Sequence, residues 1–157
     1  MVTKERQLMN IASWNRTQPW GLTILRVVTG LIFLIHGWQK ITMFGLAGFT
    51  GFLTQLGVPG ASVAAVVVIA VELLGGLALI LGLGTRYVTI PLAITALVAL
   101  LTVHLPAGFF ASDGGYEFVL LLLVACVALA LSGGGALALD NLVRERFFRA
   151  PPAVPAR

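Results

Sequence analysis

ASVAAVVVIAVELLGGLALILGLGTR, residues 61–86, decides the fold. From about Ser62 to Leu83 the run is apolar apart from one carboxylate, Glu72. A transmembrane helix needs about 20 predominantly apolar residues, and this run has that length. Lipid leaves it no alternative to the helix, because an isolated strand cannot satisfy its backbone there. Gly82 and Gly84, followed by Arg86, form a plain helix stop.

Three more apolar runs lie on either side of it. One extends from about Trp20 to Trp38, with a tryptophan at each edge. Tryptophan prefers the headgroup region, so the pair brackets a crossing. Another follows Arg86 and ends near Leu105. The last starts near Tyr116 and stops at Gly133, Gly134 and Gly135. The expected fold is all-α, an integral membrane four-helix bundle. Composition agrees: 59% of the 157 residues are hydrophobic and 10% are charged. A soluble domain carries about 25% charged residues, so a soluble enzyme, a disordered tail and a coiled coil are excluded.

Orientation follows from lysine and arginine. Lys4, Arg6, Arg16, Arg86, Arg144, Arg146, Arg149 and Arg157 fall on one side, and Lys40 alone on the other. The positive-inside rule then places both termini in the cytoplasm. The formal net charge of +4 is explained by those ends. It is not read as a nucleic-acid patch, since the basic residues sit mainly at the two ends, where the positive-inside rule places them. The polar stretch from Thr3 to Gln18 is unlike a cleaved signal peptide. In the link after the first span, Phe49, Phe52, Leu53 and Leu56 recur at helical spacing before Gly57, Pro59 and Gly60. That pattern predicts a short interfacial helix between spans one and two. The chain divides into a cytoplasmic segment (1–19), a four-span membrane domain (20–140) and a basic, proline-rich cytoplasmic tail (141–157).

Ionisable groups inside spans are costly and often functional. Glu72 lies roughly 15 Å along its helix, near the bilayer midplane. A carboxylate there must pair, meet water or take up a proton. Arg26 stays charged when buried and needs an acidic partner, for which Glu72 and Asp140 are the candidates. His36 and Lys40 are four residues apart and share a helix face. His104 ends the third span and Glu117 opens the fourth, both at the level of His36. His36, His104, Glu117 and Glu72 could therefore converge in the outer half of one bundle. Three chemistries remain open. Imidazoles and carboxylates can hold a metal. They can hydrogen-bond the two oxygens of a quinone, with a histidine passing a proton. Or they can tie helices together. A metal is not the expected occupant, because no Glu-x-x-His pair shares a helix. Gly75 and Gly76 permit close helix approach. Cys126 lies half a turn out of phase with Glu117 and reads as a packing residue.

The sequence resembles the DoxX family of small bacterial membrane proteins, including the related DoxD type. The resemblance is carried by Arg26 through Gly30, then Phe33, His36, Gly37 and Lys40. It continues through Glu72-Leu73-Leu74-Gly75-Gly76, Leu79, Leu81, Gly82, Thr85 and Arg86. It ends with His104, Gly108-Phe109-Phe110, Gly115-Tyr116-Glu117, Gly133, Gly135 and Asp140. It implies a four-helix membrane protein of the bacterial inner membrane. DoxD-type members are associated with a thiosulfate:quinone oxidoreductase, and some DoxX members with assemblies that handle oxidative and thiol stress. The resemblance therefore implies quinone-linked redox work.

Together these readings predict a membrane subunit of a quinone-linked oxidoreductase. In it Glu72, His104 and Glu117 are the expected catalytic groups. Arg26, His36, Lys40 and His104 are expected to bind the quinone. The bilayer is one partner, a soluble redox protein or further oxidoreductase subunit a second, and self-association is open. Two rival readings are a non-catalytic anchor that recruits redox enzymes and a small proton-coupled carrier.

Overall fold

The computed structural model describes residues 4–142, with side chains from Thr17 onward. The basic segment 144–149 and the proline-rich stretch 151–155 lie outside the described residues. Helix α1 spans Lys4–Gln39. A π-helical turn, Lys40–Phe44, extends it to Gly45, whose φ of +66° and ψ of 164° leave the helical region, and α2, Gly45–Gln55, follows at once. Gly57 and Gly60 then take positive φ and turn the chain into α3, Ala61–Leu81. Helix α4 is Thr85–Ala99, and a second π turn, Leu100–His104, extends it. Two short 3-10 turns lead to α5, Glu117–Ser132. Every regular element among the described residues is helical.

Helix α3 ends as the sequence predicts. Gly82 adopts φ +73°, its N–H donates to Leu79 O, and Leu83 N–H donates to Ala78 O. This is the Schellman closure, which satisfies two of the last orphan carbonyls. The link after the first span departs from expectation. It contains the expected helix over Phe49 and Leu53, but that helix follows the π turn across the single residue Gly45 instead of following a loop. Gly45 redirects the chain within a single residue, because glycine reaches φ +66° without a steric penalty, so no loop is needed there. Phe49 and Leu53 pack on Ala65 and Ile69 of α3.

Glycine brings α1 and α3 together. A Cβ on Gly76 would sit 2.6 Å from Leu34 N, and one on Gly30 would sit 2.7 Å from Gly76 O. Neither obstacle is a flexible side chain. Gly76→Ala is therefore expected to cost about 1–3 kcal/mol, the usual scale of overpacking. Gly21→Ala, with no neighbour within 4 Å, is the matched control. Thermal unfolding in detergent reads both, and equal melting would refute this packing. The remaining core joins Phe33, Leu79, Leu92, Ala96, Leu122 and Cys126 from four helices. Helix α1 packs extensively on α3 and α4 on α5, whereas α1 and α5 meet along a short stretch.

Among the described residues, three helical segments are long and apolar enough to cross a membrane: Thr17–Gln55, Ala61–Leu81 and Thr85–Ala107. Helix α5 is equally apolar but has only 16 residues. Large apolar side chains such as Ile24, Ile35, Leu74, Ile94 and Leu121 face outward. Such a surface belongs in contact with lipid.

Candidate functional site

Phe33, His36 and Lys40 stand three and four residues apart on α1, so they share one face. Glu72 comes from about halfway along α3 and is buried. Gly37 sits opposite it, where a Cβ would lie 3.1 Å from Glu72 Cβ. That close approach lets Lys40 Nζ donate to Glu72 Oε2 at 2.7 Å. The side chains are 17% and 9% exposed, so the pair is largely removed from water. The Lys40 ammonium also lies 5.5 Å from the Phe49 ring centroid, a cation–π distance.

His104 reaches the same place from α4. Its Nδ1 lies 2.7 Å from Gly114 O. A carbonyl only accepts, so Nδ1 carries a proton and Nε2 is the nitrogen left for a ligand. Both π turns contribute to the site: Lys40 is the first residue of one and His104 the last of the other. A π turn rotates the residues beyond it relative to an α-helix, and such turns recur at functional sites.

These groups line a cavity of about 150 Å³. His36, Lys40, Glu72, Thr95 and His104 provide its polar atoms. Phe33, Ala96, Ala99, Phe118, Val119 and Leu122 supply its apolar wall. A dry cavity of that size holds a benzene ring. Of the four groups expected to converge, His36, Glu72 and His104 line this cavity, and Lys40 joins them.

Two expected site residues are elsewhere. Glu117 Oε1 accepts the Ala111 N–H at 2.7 Å and closes the 105–116 loop. Arg26 lies at the other end of the bundle and is 1% exposed. Its Nε donates to Gly134 O at 2.8 Å, Nη2 to Leu137 O at 3.1 Å, and Nη1 to Ile80 O at 2.8 Å and also to Leu79 O. Neither carboxylate proposed for it forms its ion pair: Glu72 takes Lys40, and Asp140 accepts Gly84 N–H and Thr85 N–H at the start of α4. The reason is the antiparallel run of α1 and α3. Gly37 meets Leu73 and Gly30 meets Ile80, so Arg26 falls beyond the end of α3, among its last carbonyls. Phe118 and Thr95 were not anticipated as lining residues. A plain apolar or hydroxyl side chain carries no signal of facing a cavity.

An apolar helical bundle with a buried ion pair beside a ring-sized cavity defines a small membrane protein with a polar site inside its core. The chain belongs to the DoxX family: the family model described as DoxX matches residues 21–105. His36, Lys40, Glu72 and His104 all fall in that match. A Bacillus subtilis (strain 168) protein named "Putative oxidoreductase CatD" is 41% identical over 129 residues, 82% of this chain and 91% of that one. "Inner membrane protein YqjF" of Escherichia coli (strain K12) is 32% identical over 81% of this chain and 95% of its own length. "Uncharacterized membrane protein Rv3486" of Mycobacterium tuberculosis (strain ATCC 25618 / H37Rv) is 30% identical over 82% of this chain and 84% of its own. No solved structure is a significant match.

Proposed function

We propose that this chain is a multi-pass bacterial inner-membrane subunit of a quinone-linked oxidoreductase, and that the cavity among α1, α3, α4 and α5 binds the quinone ring. The observation that carries this reading is the cavity itself. It has the volume of one six-membered ring, apolar walls, and hydrogen-bonding groups from three different helices. That combination is typical of a small-molecule site. A bound quinone supplies two-electron, two-proton chemistry. The protein's own groups do the rest. Lys40 offers an ammonium N–H toward one ring oxygen. Glu72, paired with it, holds a proton when the ammonium turns to the ligand. His104, when its ring is protonated, would give the Nε2 proton to the second ring oxygen while Gly114 O fixes its ring orientation. His36 provides a second imidazole at the rim. Electrons come from a partner redox protein. The oxidoreductase name of the Bacillus subtilis relative supports the reading.

Trp38 lies between His36 and Lys40 on α1, so ring binding is readable by its fluorescence. Titration with a benzoquinone analogue in mild detergent is expected to quench it saturably. His36→Ala and His104→Ala are each expected to weaken binding about tenfold, the equivalent of one lost hydrogen bond of about 1.4 kcal/mol. Linear quenching that ignores both substitutions would mean partitioning into detergent. The chain would then be better read as an anchor for soluble redox enzymes.

A further inference from the structure

The cavity has walls of unequal tightness. Between α1 and α3 the backbones touch at Gly30 and Gly76. Between α3 and α4, a Cβ on Gly75 would meet Leu92 at 3.1 Å. Helices α4 and α5 pack along much of their length. The seam between α1 and α5 is the short one. Two residues of the cavity lining stand at this seam, His36 on α1 and Phe118 on α5, with ring centroids 6.5 Å apart. Both are exposed on the outer surface, whereas Phe33 and Leu122, deeper along the same helices, are buried. The cavity therefore has its inner wall in the core and its rim on the outside of the bundle.

What lies outside that rim is lipid. Glu72, level with the cavity, is about halfway along α3, so the opening is at membrane depth. Ile35 beside His36, and Leu121 one turn beyond Phe118, are exposed and apolar. The volume supplies the other half of the argument. A cavity of about 150 Å³ is filled by one ring. A chain attached to that ring has no room inside and must leave through the rim.

Resting on the ring-binding reading above, we propose that the α1/α5 seam at His36 and Phe118 is a lateral portal, through which a ring bearing an apolar chain enters from the bilayer and leaves its chain in lipid. The substrate class is then a membrane-dissolved, long-chain compound and not a water-soluble ring. No route through the loop end is required. That end is closed by His104 on Gly114, by Tyr116 N–H on Gly108 O and by Glu117 on Ala111.

The test uses the full chain in lipid nanodiscs and two radiolabelled probes, a benzoquinone with a decyl chain and the same ring with a methyl group. Association rates are measured for both, and their ratio is the readout, so any change in the site common to both cancels. Phe118→Ala widens the seam and is expected to raise the decyl-to-methyl ratio at least about fivefold. Phe118→Trp narrows it and is expected to lower the ratio, since a slow structural step at entry depresses association. A ratio unchanged in both variants, with the wild type binding both rings, overturns the portal and leaves the ring site standing. Failure of the wild type to bind either ring overturns both.

Discussion

Replacing Arg26 by methionine is expected to cost the fold about 3–6 kcal/mol. The guanidinium satisfies Ile80, Gly134 and Leu137 carbonyls that have no other partner among the described residues, and it shares Leu79 O with Gly82 N–H. Each buried carbonyl left unpaired costs about 1–3 kcal/mol. Arg26→Lys is expected to recover only part, because one ammonium is a point charge and cannot span acceptors from α3 and from the glycine loop together. Thermal unfolding and folded yield in detergent measure both. The folded fraction is expected to bind a quinone analogue with unchanged affinity, since Arg26 is at the far end from the cavity. A methionine variant as stable as the parent would mean the carbonyl cradle does not hold the bundle end together. Lost ring affinity in stable protein would return Arg26 to the binding site.

The second large effect separates the two meanings of the Lys40–Glu72 pair. Lys40→Met strands a buried carboxylate and is expected to destabilise the protein by about 3–5 kcal/mol. The double variant Lys40→Met/Glu72→Leu removes both charges and is expected to recover most of that, because apolar replacements of a buried pair are often neutral or stabilising. If the pair serves the ring, the recovered protein binds a benzoquinone analogue at least about tenfold more weakly, or about 1.4 kcal/mol. A double variant that is both stable and fully competent to bind would make the pair a tie between α1 and α3, and would remove Glu72 and Lys40 from the proposed mechanism.

Most of the fold was legible because its signals are local. The apolar runs give the helices, Gly82 gives the end of α3, and the Phe49–Leu53 spacing gives α2. The site was legible to the extent that an ion inside a span must be accounted for. That argument singles out Glu72, His36 and His104 with no knowledge of helix order. It failed on partners, since the sequence offers Arg26 two carboxylates and cannot show that backbone carbonyls serve instead. The antiparallel match of α1 to α3 would have corrected it. Counting forward on one helix and back on the other sets Glu72 within one turn of Lys40 and leaves Arg26 beyond the end of α3. Glu117 misled for a related reason. A carboxylate at a helix start has a loop N–H within reach, and Ala111 took it. The π turns had no sequence signature, because one surplus residue in an apolar helix leaves the composition unchanged.

The second of those turns has an evolutionary consequence. It behaves as a single-codon insertion retained inside a helix. Losing one residue between Leu100 and His104 would still leave a continuous apolar helix of adequate length. It would swing everything downstream by about 100°. Such a deletion is therefore expected to spare membrane integration while turning His104 away from the cavity it lines.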